Sequence, residues 1–132
     1  MDFQLVLGLK AEKTETVTDK NTAIAYGSGG LAVYATPAMI GLMEGASLAA
    51  VGSSLPEGFT TVGTQVTVGH AAATPVGMKV RAEAELTAVA GRKLSFRVRA
   101  FDETGLIGEG THERFIVEAE PFLAKANKKL IK

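Results

Sequence analysis

The 132-residue chain has no cysteine, so disulfides, thiolate metal sites and a cysteine nucleophile are all excluded. It has no excess of either charge: fourteen basic residues balance fourteen acidic ones, which leaves no global field to draw in nucleic acid or an anionic membrane. It has no apolar run near the ~20 residues that a membrane span requires. The start, "MDFQLVLGLK", lacks the basic region and longer apolar core of a secretory signal, so a cytoplasmic address is expected. Internal repeats, low-complexity tracts and linkers are also missing, and the length suits one domain over 1–132. With 46% hydrophobic and 21% charged residues, such a chain can bury a core without staples.

Several chemistries lack their parts. There is no Walker loop, and "GSGG" has no strand–glycine–helix context for a dinucleotide. "GASLA" misses the second glycine of a nucleophile elbow. Two histidines without cysteine or ligand-like spacing make a poor metal site, so no metal and no cofactor are expected. Lys79, Arg81, Arg97 and Arg99 fall on the wet face of strands; they are either solvated or near enough to a pocket mouth to meet phosphates.

What is present reads as α+β. "KAEKTETVTDKNT" suits an edge strand, "YGSGG" a loop, and "TPAMIGLMEGASLAAVG" a long helix ended by "GSSLPEG". Thr36 followed by Pro37 matches an N-cap and a first-turn proline. The rest alternates with period two: Val62, Val66, Val68 and His70 on one face of "TTVGTQVTVGH"; Met78, Val80, Ala82, Ala84, Leu86 and Ala88 on one face of the next strand; Leu94, Phe96, Val98 and Ala100 after the Gly91-Arg92 turn. "LIGEGTHERFIVE" makes a last strand, and "EPFLAKANKKLIK" a terminal helix with acids first and lysines last.

The long helix is apolar on nearly every side, and one curled sheet covers only about half of it. The chain has no second apolar helix of that length, so a partner subunit is the economical cover. The expected architecture is an antiparallel sheet wrapped round a central helix and paired as a homodimer, or a higher assembly.

Glu44 interrupts this apolar helix. A buried carboxylate is either matched with a donor or has a raised pKa, and it either satisfies the core or serves chemistry. His70 continues an apolar strand face, so its ring should point at the helix. It is either a hydrogen-bonded core residue or, with Glu44, half of a pair that activates water. Thr36 caps the helix, and with Met39 at the third helical position no capping box forms, leaving first-turn N–H groups free for developing negative charge. Eight residues part Thr36 from Glu44, about 12 Å along a regular helix, so they cannot share a hydrogen bond. In the last strand His112 shares a face with Gly108, Gly110, Arg114 and Ile116; the glycines mark close approach by a ligand or another strand, and a salt-bridged strand is the plainer account.

The blocks "ATPAMIGLMEGA", "VGHAAATPVGMKV", "GRKLSFRVRAFD" and "GEGTHERFIV" resemble, in order, the hotdog-fold acyl-CoA thioesterases of the fluoroacetyl-CoA thioesterase group. The resemblance runs from about residue 34 onward. It implies a hotdog fold, hydrolysis of a short or small acyl-CoA thioester, and a catalytic site on Thr36, Glu44 and His70. Gly69, His112 and Arg114 are the expected substrate-binding residues. It implies no cofactor beyond the coenzyme A of the substrate, a homodimer, and neither nucleic-acid nor membrane partners. A phenylalanine-bearing lid ahead of the threonine marks the specialised fluoroacetyl enzyme; here "AIAYGSGGLAVYAT" has Tyr26 and Tyr34 in its place, which argues against selectivity for fluorine. The alternative is a non-catalytic acyl-CoA-binding dimer. A hotdog dehydratase or hydratase would place the histidine before the acid-bearing helix, and here it follows.

Overall fold

The computed structural model describes residues 3–130; Asp2 at the start and Ile131 and Lys132 at the end, which entered the sequence reading, lie outside them. Strand β1 (Lys10–Thr16) is followed by the short helix α1 (Ala23–Tyr26) and the long helix α2 (Thr36–Gly52). Four strands come next: β2 (Phe59–His70), β3 (Lys79–Ala90), β4 (Lys93–Asp102) and β5 (Gly105–Glu118). Helix α3 (Ala119–Asn127) closes the chain with a 3-10 turn at Lys128–Leu130. The five strands form an antiparallel sheet in the order β1-β3-β4-β5-β2, so β1 and β2 are its edges.

Alternation sets the inner face. Val80, Ala82, Ala84 and Leu86 of β3 and Leu94, Phe96, Val98 and Ala100 of β4 are buried against α2, as period two requires. Gly91, at φ 64°, turns β3 into β4. Two bulges shift this pattern. In β3 the register slips between Leu86 and Ala88, so Ala88 is exposed and Val89 packs on the core instead. In β2 the slip falls between Gly63 and Gln65. Val62 then pairs with the exposed Phe115 rather than joining Val66 and Val68, and Thr61 and Gly63 take the inner face. An extra residue reverses the parity of everything before it, which strict alternation cannot foresee.

Helix α2 buries Ala38, Met39, Met43, Ala46, Ser47, Ala50 and Val51, a stripe at helical spacing. Ser47 satisfies its hydroxyl inside the core by donating to the Met43 carbonyl at 2.9 Å. The opposite side, with Gly41, Leu48, Ala49 and Gly52, faces outward, and Leu48 is 39% exposed. The helix lies over β1 and β3; the middle of β2, from Gly63 to Thr67, is exposed. Among the described residues, no helix is long and apolar enough to cross a membrane.

Candidate active site

Two polar clusters lie where α2 faces β2. At the first, α2 begins with Thr36 as its first residue; the cap position belongs to Ala35, in an extended conformation with no side-chain cap bond. Thr36 is therefore not the cap that the sequence suggested. Ala35 takes the extended cap position, and the Thr36 hydroxyl makes no cap bond to the helix backbone. Its Oγ1 instead lies 2.7 Å from Nδ1 of His70, the last residue of β2. His70 Nε2 is buried and has no hydrogen-bond partner among the described residues. Burial pushes the His70 pKa below the usual 6.5, with the Ala72 backbone opposing. A cleft of ≈ 230 Å³ opens beside this pair, lined by Val33, Tyr34, Thr36, His70 and Ala71 to Ala73 among others. Tyr34, at the cleft's base, donates its hydroxyl to Glu15 of β1 and is 1% exposed.

At the second cluster stands Glu44, two helical turns on. Its side chain is 41% exposed, not sealed in the core as expected, because α2 leans away from β2 and leaves this side uncovered. Its Oε2 lies 3.7 Å from Nη1 of Arg114, which is itself 6% exposed. Arg114 is held by Thr61: Nε donates to Oγ1 at 2.7 Å and Nη2 to the carbonyl at 2.8 Å. His112, 2% exposed, bridges the Gln65 carbonyl at 2.8 Å and Arg114 Nη1 at 3.1 Å. Burial pushes its pKa down, the Gln65 bond opposes, Arg114 pushes further down and Glu44 pulls up. Burial also lowers the Arg114 pKa, with Glu44 opposing.

The structure thus joins Thr36 to His70, and Glu44 to Arg114 and His112, but within one chain it does not join the two sets. Glu44 abuts Gly63, while His70 lies seven residues further along β2, roughly 20 Å at strand rise. Gly69 does not border either cluster: it pairs with Glu109 on the outer face, and a Cβ added there meets nothing within 4 Å. Gly63 is the glycine at the site. A Cβ on it would lie 2.6 Å from Glu44 Oε2, 3.2 Å from His112 Cε1 and 3.4 Å from Arg114 Nη1. Gly63, Gln65 and Thr61 escaped the sequence reading; a glycine inside a strand pattern, the ordinary sign of a bulge, was the available signal.

The cationic face considered for phosphates is occupied otherwise. A depression of ≈ 260 Å³ there is lined by Lys10, Glu12, Glu83, Glu85, Arg97 and Arg99. Glu83 pairs with both Arg81 and Arg99, and these two arginines also stack on Phe101 at 4.6 and 5.7 Å. It is a solvated ion network of small energetic weight.

Acidification tests the two histidines. Both have folded pKa values below 6.5, so at mildly acidic pH the unfolded chain binds more protons than the folded one, and stability rises with pH. The melting temperature is expected to fall as pH drops from about 7 through the unfolded histidine value. The fall should be shallower in His112→Asn; an unchanged slope in that variant would contradict the assignment.

A five-stranded antiparallel sheet cradling one long helix is the build of a hotdog-fold thioesterase. Residues 17–120 match the family described as fluoroacetyl-CoA-specific thioesterase. A fluoroacetyl-CoA thioesterase of Streptantibioticus cattleyicolor is 47% identical over 97 residues, 74% of this chain and 70% of that protein. A solved structure of a fluoroacetyl-CoA thioesterase superposes with TM-score 0.88 at 38% identity, covering 95% of this chain and 97% of that one. A thioesterase superfamily member of Thermus thermophilus gives 0.87 at 30% identity, covering 95% and 93%. The chain belongs to the fluoroacetyl-CoA-specific thioesterase family.

Proposed function

We propose that the chain hydrolyses a short-chain acyl-CoA thioester, with Glu44, His70 and Thr36 as its catalytic groups, in a homodimer. The observation that carries the reading is His70: one ring nitrogen is engaged by Thr36, and the other is buried with no partner among the described residues, beside a cleft. Its lowered pKa keeps that ring neutral near pH 7, as a base requires. With Nδ1–H donating to Thr36, the Nε2 lone pair is free to take a proton from water. The N–H groups of the first turn of α2 steady the oxyanion, and the carboxylate that works on the thioester carbonyl is Glu44 of the partner subunit, because within one chain Glu44 is not joined to His70.

Homodimer formation is supported by the apolar outward side of α2 and by the long open edge of β2. A second copy laid on these surfaces covers Leu48, the exposed middle of β2 and the half-open Glu44. The acyl preference rests on the segment before Thr36. It folds as α1 and a glycine loop, with Ile24, Tyr26 and Leu31 exposed and no phenylalanine. That segment supports small acyl groups generally over a fluorinated one. Structures similar to this chain were solved with fluoroacetate and with acetyl-CoA.

A panel of short and aromatic acyl-CoAs, read with a thiol reagent, tests the proposal, with gel filtration for the dimer. Turnover of short acyl groups that is lost in His70→Ala supports it. Tight CoA-ester binding without hydrolysis across the panel replaces it with a non-catalytic binding dimer.

A further inference from the structure

His112 and Arg114 are two apart on β5, so both side chains point toward α2. The hydrogen bonds of His112 determine its chemical form. A carbonyl only accepts, so Nδ1, 2.8 Å from the Gln65 oxygen, carries the proton and donates. A guanidinium only donates, so Nε2, 3.1 Å from Arg114 Nη1, is a lone pair that accepts. The ring is neutral, and both nitrogens are spent. It therefore neither binds substrate nor transfers a proton in this arrangement. The bulge in β2 matters here, because it ends at Gln65, whose carbonyl receives the ring.

Arg114 has three donors fixed, two by Thr61 and one by His112. Its Nη1 stands 3.7 Å from Glu44 Oε2, beyond direct hydrogen-bond distance. An unrestrained arginine this close would close into a fork on the carboxylate. Such a fork would spend the oxygens of Glu44 and make it a weaker base.

We propose that His112 is a positioning residue: by accepting from Nη1, it holds Arg114 off Glu44, so that the carboxylate feels the cation without being captured by it. This rests on the reading of Glu44 as the working acid. Around His112 stand Glu44 from α2, Arg114 from its own strand, Gly63 and the Gln65 carbonyl from β2, and the Phe96 ring of β4, 6.3 Å between centroids. Its lowered pKa agrees with a ring kept neutral by burial.

The test has two arms. In the unaltered protein, nitrogen-15 NMR of the chain's two histidines at pH 7 should show His112 as the Nδ1–H tautomer, the minor form of free imidazole. An Nε2–H ring or an imidazolium would overturn the lock. In the assay, His112→Phe keeps the shape and loses both hydrogen bonds. Its kcat should drop about tenfold or more, with KM within about threefold, and the acid limb of the kcat profile should move to lower pH as Arg114 captures Glu44. His112→Gln, which offers one donor and one acceptor, should recover most of the rate. A folded His112→Phe protein with an unaltered rate and limb would overturn the proposal; if that variant does not fold, the tautomer decides. A full rate in Glu44→Ala would instead remove the role of Glu44 while leaving the tautomer to be read, so the two failures are distinguishable.

Discussion

Glu44→Ala is expected to lower kcat by a factor of about 10² or more while the protein stays folded. The two effects separate because the side chain's structural role is slight. Its carboxylate is 41% exposed, and its one ion pair among the described residues, to Arg114, is 3.7 Å long. A pair open on its acid side contributes on the order of 1 kcal/mol, short of the roughly 3–5 kcal/mol of a fully buried pair, and the buried Arg114 keeps its three bonds to Thr61 and His112 without it. Comparing kcat with urea unfolding in the same variant reads both quantities. Near-normal turnover coupled to a large loss of stability would mean that the acid holds the fold and does no chemistry. Glu44→Gln sharpens the comparison, because it keeps the volume and removes only the charge.

Three glycines of the β2–β5 pair should respond to alanine in three different ways. At Gly110 a Cβ would fall 2.0 Å from the Thr67 carbonyl oxygen and 2.7 Å from Val68 Cα, all backbone. Backbone within a ladder cannot swing aside, so β2 must part from β5. Overpacking costs about 1–3 kcal/mol where side chains can adjust, and Gly110→Ala should reach the upper end or beyond. At Gly63 the obstacle is the far end of Glu44, which can move. Gly63→Ala should leave stability within about 1 kcal/mol and reduce kcat, since it displaces the carboxylate and crowds His112 and Arg114. At Gly69 there is open space, so Gly69→Ala should alter stability by no more than about 0.5 kcal/mol and leave turnover intact. Thermal melts and the thiol assay on these variants check the set. A stable, fully active Gly110→Ala protein, or a strongly impaired Gly69→Ala protein, would show that the β2–β5 register is drawn wrongly.

The glycine series marks where reading the sequence succeeded and where it stopped. Strands β3 and β4 were legible almost residue by residue, because Val80, Ala82, Ala84, Leu94, Phe96 and Val98 alternate without interruption and each is buried. The glycines at 108 and 110 were legible as points of close approach. The approaching groups are β2 and Met39, whose Sδ lies 2.7 Å from a Cβ at Gly108. The β2 bulge was not legible. Strict alternation puts Val62 on the face of Val66, and Gly63 within "TTVGTQV" is the one local sign of the irregularity, with nothing to say that Thr64 is the residue left outside the ladder.

The sequence by itself determined the order of the strands and the long helix and the antiparallel sheet, though not the short α1, because local periodicity and turn residues act over a few positions and need no distant partner; the family was legible separately, as the resemblance of four blocks. It also nominated the groups with chemistry. Only the tertiary structure decided how those groups are shared out. The offset of α2 toward β1 and β3, the extra residue in β2 and the start of the helix at Thr36 together send His70 to a hydroxyl and Glu44 to a buried cation. Each of those settings depends on how two distant segments pack, and packing between segments leaves no period in the chain.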